Sequence, residues 1–234
     1  MNDLAVLFDL DGTLLPMDYD VFTKAYFKAL CAKMAPLDYP AEQLVPAIWA
    51  GVKAIIKGDG STSGMTRFWA EFATVFGDRV YTDKPVVDAF YSNEFNSASV
   101  VTQPTPLART LVDAARAKAG QVILATNPIF PYNGITSRLT WAGLKEEDFD
   151  LITSYEVCCF CKPDPRYYTE ILEKQGLTAD QCVMIGNDVN EDIAAAQKVG
   201  IRTFLIKDCL LGDPSAAQTD QGSMQDAVDW ILAL

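Results

Sequence analysis

Leu4-Ala5-Val6-Leu7-Phe8-Asp9-Leu10-Asp11-Gly12-Thr13-Leu14 is the stretch on which the reading of the whole chain turns. Its apolar run shows no polar alternation, the pattern of a strand covered on both faces of a parallel sheet. The run ends at Asp9. Alternate residues of an extending strand share a face, so Asp9 and Asp11 bring two carboxylates together. Like charges that close raise a pKa or call for a cation. Gly12 then lets the backbone turn tightly around a bound anion.

Similar apolar runs recur at 121–125, 150–153, 182–185 and 201–206. Helical patterns fall between and after them, at 105–118, 133–142, 165–175, 190–199 and 225–232. The first of these starts after Pro104 and stops at Gly120, a helix start and stop signal. Alternating strands and helices predict right-handed crossovers and a doubly wound α/β sheet. Residues 16–102 break that rhythm. Helical spacing at 19–33, 41–57 and 65–76, and more weakly at 85–95, predicts an all-helical insertion after the first strand, with a loop at 57–64.

In open α/β sheets ligands bind beyond the carboxyl ends of the strands. The first strand delivers Asp9, Asp11 and Gly12 there, and the second delivers Thr126-Asn127. Lys162 follows the third, and the fourth delivers Gly186-Asn187-Asp188 with Asp192 beyond. Asp188 adds a third carboxylate to the Asp9–Asp11 pair. A hard divalent ion with oxygen ligands resolves such crowding, and Mg²⁺, which keeps waters and binds phosphate oxygens, suits it best. Lys162 supplies a positive point charge for a phosphate, and Thr126 a hydroxyl donor.

Composition narrows the chemistry. The chain has 234 residues, 19 Lys and Arg against 31 Asp and Glu, a net charge of −12 and no histidine. That charge disfavours nucleic-acid or anionic-membrane partners. The missing histidine excludes a Ser-His-Asp triad, a Cys-His dyad and a His-ligated metal. Six cysteines are too sparse for a disulfide scaffold, and Cys158-Cys159-Phe160-Cys161 lacks the second pair of a zinc site. With neither a basic leader nor a membrane-length apolar run, a cytoplasmic protein is expected. The segment from Asp188 to Asp192 resembles the start of an EF-hand loop, but Ile193 and Val199 stand where glycine and glutamate are required.

The ordered set Asp9-Leu10-Asp11-Gly12-Thr13-Leu14, Thr126, Lys162 and Gly186-Asn187-Asp188 with Asp192 resembles the four motifs of the haloacid dehalogenase (HAD) superfamily. The resemblance covers the α/β core. The insertion is similar to a family cap in location and helical character alone. It implies a Rossmann-like catalytic core over 1–15 and 103–234, with sheet order 5-4-1-2-3, and a helical cap over 16–102. It implies Mg²⁺-dependent hydrolysis of a small phosphorylated metabolite, with Asp9 as nucleophile and Asp11 as general acid and base. Thr126, Asn127 and Lys162 would hold the phosphate. Asp9, the carbonyl of Asp11 and Asp188 would hold Mg²⁺, backed by Asn187 and Asp192. Many members carry an acid where Asn187 stands, which leaves open whether Asn187, Asp188 or Asp192 faces the metal. A phosphomutase is the nearest alternative, and a non-catalytic Mg²⁺-binding protein another. A dehalogenase works without an acid such as Asp11. A phosphonate hydrolase would need a cap lysine, for which Lys53 and Lys57 are the candidates. Arg67, Lys53 and Lys57 are otherwise expected to be solvated, and Phe68, Trp69 and Phe72 to be core.

Overall fold

A computed structural model describes residues 3–234. Six strands, β1 (Ala5–Phe8), β2 (Gln121–Leu124), β3 (Leu151–Ile152), β4 (Cys182–Gly186), β5 (Arg202–Ile206) and β6 (Asp220–Gly222), form one parallel sheet. Their order is β3-β2-β1-β4-β5-β6. This is the expected five-strand order with one more strand appended beyond β5. The short, polar Asp220-Gln221-Gly222 carries no apolar run to mark it.

The central strand is buried on both sides, as its unbroken apolar run requires. Val6 and Phe8 pack with Val122, Leu124, Val183 and Ile185 on one face. Helices α5 (Pro106–Lys118), α6 (Tyr132–Trp141) and α9 (Met224–Leu232) cover that face. Ala5 and Leu7 pack with Ile123 and Met184 on the other, under α7 (Pro165–Gln175) and the short α8 (Ala195–Gln197). Full burial of a side chain such as Leu7 contributes about 1.5–3 kcal/mol. Helix starts follow local chemistry. Thr105 caps α5 with Pro106 in its first turn, Asp164 caps α7 ahead of Pro165, and Ser223 and Asp226 form a capping box on α9.

Between β1 and α5 lie α1 (Tyr19–Met34), α2 (Ala41–Ile56), α3 (Gly64–Phe76) and α4 (Arg79–Ser92), with 3₁₀ turns and, among the described residues, no strand. Helix α4 starts six residues before the expected 85–95 segment, and Pro85 lies inside it. Asp18 caps α1 and Ser63 caps α3. The aromatic residues of α1 and α4 join the sheet side of the core: Tyr26 and Tyr91 both meet the ring of Phe130, in the loop after β2. The segment expected as a helix over 190–199 begins instead as a π-helical turn, Val189–Ala194. Asp188 caps it, accepting hydrogen bonds from the backbone of Asn190 and Glu191. Among the described residues, no helix is long and apolar enough to cross a membrane.

Candidate active site

Parallel pairing places the tips of β1, β2 and β4 side by side. Phe8 is in register with Leu124 on one side and Ile185 on the other. The backbone N–H of Asp9 then donates to the Ile185 carbonyl at 3.0 Å. One residue further along each strand lie the groups singled out from the sequence.

Lys162 is at the centre. Its side chain is 1% exposed. It donates to Asp9 Oδ1 at 2.9 Å and to Asp192 Oδ1 at 2.6 Å. Burial alone would lower its pKa, but Asp192 and Asp9 outweigh burial and raise it, so the ammonium stays charged. Asp192 is cradled further: its Oδ2 accepts from the backbone N–H groups of Asn187 and Asp188, both at 3.0 Å. Gly186 permits this approach, because a Cβ there would lie 2.2 Å from Asp192 Oδ2.

Asp9 is 6% exposed, with Thr13 donating to its Oδ2 at 3.2 Å. Burial lifts its carboxyl to about 8, opposed by Lys162 and reinforced by Asp192. Asn187 ties the tips together. It accepts from Thr13 at 2.9 Å and donates to the Cys209 carbonyl at 2.7 Å. Its amide packs against Gly12, whose φ is +81° and whose Cβ, were there one, would lie 2.4 Å from Asn187 Nδ2. Asn187 is thus a buried brace.

Asp11 has partners that the strand-end reading misses. The guanidinium of Arg138 on α6, with no exposed surface, pairs with its Oδ2, while Oδ1 is buried without a partner. Arg138 Nε donates to the Gly134 carbonyl at 3.1 Å, and its guanidinium carbon lies 4.1 Å from the Phe130 ring centroid. Burial raises the Asp11 carboxyl above its ordinary range, against the pull of Arg138 and Lys162. The Tyr19 hydroxyl donates to the Asp11 carbonyl. The signal for Arg138 is a charge on the apolar side of α6, between Ile135 and Leu139, where a solvated residue has no place.

Thr126 is buried, and its carbonyl accepts from Thr153 at 2.7 Å and Tyr167 at 2.8 Å. Asn127 donates to Glu191 Oε2 at 2.8 Å, so Glu191 joins the site unforeseen. Lys53 and Lys57 are exposed and do not line the cavity over the site. Arg67 is half-buried. It donates to the Cys159 carbonyl at 2.6 Å and clips α3 to the loop before Lys162. Phe68, Trp69 and Phe72 pack in the core and also line the cavity.

Asp9, Asp11, Asp188, Glu191 and Asp192 all border one cavity of about 340 Å³. Among the described residues, no group of three or more acidic or cysteine side chains is arranged to hold a metal on its own. Mg²⁺ does not require one: it binds through one or two carboxylates and keeps its waters. The all-oxygen donors, the acidic excess around Lys162 and the burial-raised pKa of Asp9 fit such a cation. Asp9 and Asp188 both border the cavity and would be the carboxylates to hold it. The Asp11 carbonyl, with a second lone pair beyond the Tyr19 bond, is the neutral donor.

The chain is similar to proteins of known activity. It is 29% identical over 208 residues to the glyceraldehyde 3-phosphate phosphatase of Methanothermobacter thermautotrophicus, covering 86% of this chain and 84% of that one. It is 26% identical over 201 residues to the phosphoglycolate phosphatase of Aquifex aeolicus, covering 86% and 83%. The fold superposes on the crystal structure of the 2-haloacid dehalogenase of Pseudomonas syringae pv. tomato with a TM-score of 0.65, at 19% identity over 98% of each chain. Residues 4–200 match the model of the haloacid dehalogenase-like hydrolases, and the chain belongs to that family.

Proposed function

We propose that this protein is a Mg²⁺-dependent phosphoric monoester hydrolase acting on a small phosphorylated metabolite through Asp9. The relatives whose names state phosphatase activity support the reaction class. The observation that carries the reading is the buried Lys162 ammonium, bonded at once to Asp9 and Asp192 beneath the cavity. A buried lysine shared by two acids at adjacent strand tips, beside a cavity, is the kind of perturbed charge cluster found at functional sites.

The Asp9 carboxylate attacks phosphorus in line, and the bond from phosphorus to the alcohol oxygen breaks. Asp11 gives the departing oxygen its proton. Its burial-raised pKa keeps that proton available, while Arg138 stabilises the carboxylate left behind. Water then attacks the aspartyl-phosphate and Asp11 takes its proton. The bond between phosphorus and Asp9 breaks, releasing phosphate. Lys162 and Thr126 hold the phosphoryl oxygens, with Asn127 behind them. Asn187 and Asp192 keep the tips and the ammonium in place. Asp9, Asp188 and the Asp11 carbonyl would hold Mg²⁺, which when bound neutralises phosphate charge.

Residues 1–15 with 103–234 act as the catalytic core and 16–102 as a cap. Closure of the cap excludes bulk water and selects the leaving group. The protein is expected to work in the cytoplasm. Purified protein with Mg²⁺ is predicted to release phosphate from acetyl phosphate or p-nitrophenyl phosphate, and Asp9→Asn to abolish this. Undiminished turnover in that variant would remove Asp9 as nucleophile.

A further inference from the structure

The cavity above the carboxylates has a composition that the phosphate chemistry does not explain. Its far end runs between α1, α2, α3 and α4, and Leu30, Leu44, Ile48, Trp49, Phe72 and Val87 are among its walls. Among the described residues, no lysine or arginine is in its lining: Lys162 lies behind Asp9 and Asp192 at the carboxylate end, and every charged residue in the lining itself is acidic. The tyrosine hydroxyls in the walls meet other wall residues. Tyr26 and Tyr91 bond each other at 2.8 Å, and Tyr155 accepts from the Trp69 indole at 3.3 Å.

We infer that the phosphomonoester cleaved here is the ester of an uncharged, hydrophobic alcohol, whose hydrocarbon part fills this cavity while its phosphate faces Asp9. The inference rests on the phosphatase reading above. A second anionic group on the substrate, a carboxylate or another phosphate, would sit among apolar walls and acids with no counter-charge, which is strongly disfavoured. A hydrocarbon loses nothing and leaves water. The volume, about 340 Å³, falls in the range of cavities that take small organic ligands. The cavity is continuous from these walls to Asp9 and Asp11, so one molecule reaches both ends.

The test is a chain-length series, methyl to hexyl phosphate, with phosphoglycolate for comparison. kcat/KM is expected to rise about fourfold per added methylene until the cavity is filled. Hexyl phosphate is expected to exceed phosphoglycolate by more than about a hundredfold on the same scale. Val87→Lys places a cation in the wall at a position that is not fully buried, and Trp49→Ser opens the wall at a half-exposed one. Each is expected to lower the hexyl-to-methyl ratio at least about tenfold. A flat or falling series, or a preference for phosphoglycolate, overturns the inference while leaving the phosphatase reading standing. Should no ester be turned over, the phosphatase reading fails and the inference falls with it. Trp49 and Trp69 border the cavity, so 1-hexanol is expected to change tryptophan emission saturably and glycolate to leave it unchanged. Equal responses to the two overturn it.

Discussion

Replacing Arg138 with methionine keeps most of the apolar volume of the side chain but removes the guanidinium from Asp11. The arginine has no exposed surface and the Asp11 side chain is 14% exposed, so water substitutes only in part for the lost partner. Breaking a buried pair by deleting one member costs about 3–5 kcal/mol. Asp11 borders the cavity and burial raises its carboxyl, so it can take up a proton, which places the expected loss near the lower figure. The hydrogen bond from Arg138 to Gly134 and the contact with Phe130 go too. In a domain of this length about 3 kcal/mol corresponds to a fall in Tm of roughly 6–12 °C. Urea denaturation of the wild type, Arg138→Met, Asp11→Asn and the double variant gives the pairwise term. The neutral amide introduced by Asp11→Asn no longer needs a cation, so the double variant is expected to recover at least about 1.5 kcal/mol of the single-site losses. A loss under about 1 kcal/mol in Arg138→Met, or strict additivity in the cycle, would refute the claim that this pair is a buried, mutually dependent unit.

Mg²⁺ affinity should depend on pH through Asp9. Its carboxyl, lifted to about 8 by burial, holds a proton below that pH that a cation must displace. The apparent dissociation constant is therefore expected to fall by up to about tenfold per unit as pH rises toward about 8, then level off, as read by calorimetry; a flat profile contradicts it. Asp192→Asn should remove the carboxylate that fixes Lys162 and two backbone N–H groups, lowering kcat by about tenfold or more, with a smaller change in KM; unchanged kcat contradicts it. Burial raises the thiols of Cys158, Cys161 and Cys182 to about 12, so at about pH 8 only roughly one molecule in 10⁴ carries a given thiolate. Mass mapping after mild alkylation should find these three unmodified in the folded protein, and rapid labelling of any of them would contradict their burial.

What can be read in advance follows from how local each signal is. The β1 run and its acidic tip announce themselves because the strand is buried on both faces and its polar residues begin abruptly at Asp9. Lys162 is legible only by its place after the third apolar run, yet it holds the site together. β6 escapes the sequence reading because an edge strand of three residues with two exposed side chains needs no apolar run. The early start of α4 is hidden because its apolar residues show little one-sided spacing and Pro85 suggests a boundary. The pairings of Arg138 with Asp11 and of Glu191 with Asn127 join residues 127 and 64 positions apart, and no local pattern encodes such a contact. The sequence leaves open whether Asn187, Asp188 or Asp192 faces a metal. The Asn187 amide spans Thr13 and Cys209, a role that a two-ended donor and acceptor fills and a carboxylate does not.

The central claim is that the Asp9 carboxylate takes the phosphoryl group. Rapid acid quench during turnover with Mg²⁺, followed by peptide mass mapping, tests it at the atom concerned. A single phosphoryl adduct on Asp9, labile to hydroxylamine and missing in Asp9→Asn, is the predicted result. An adduct on another side chain, or steady turnover by Asp9→Asn, would contradict the account.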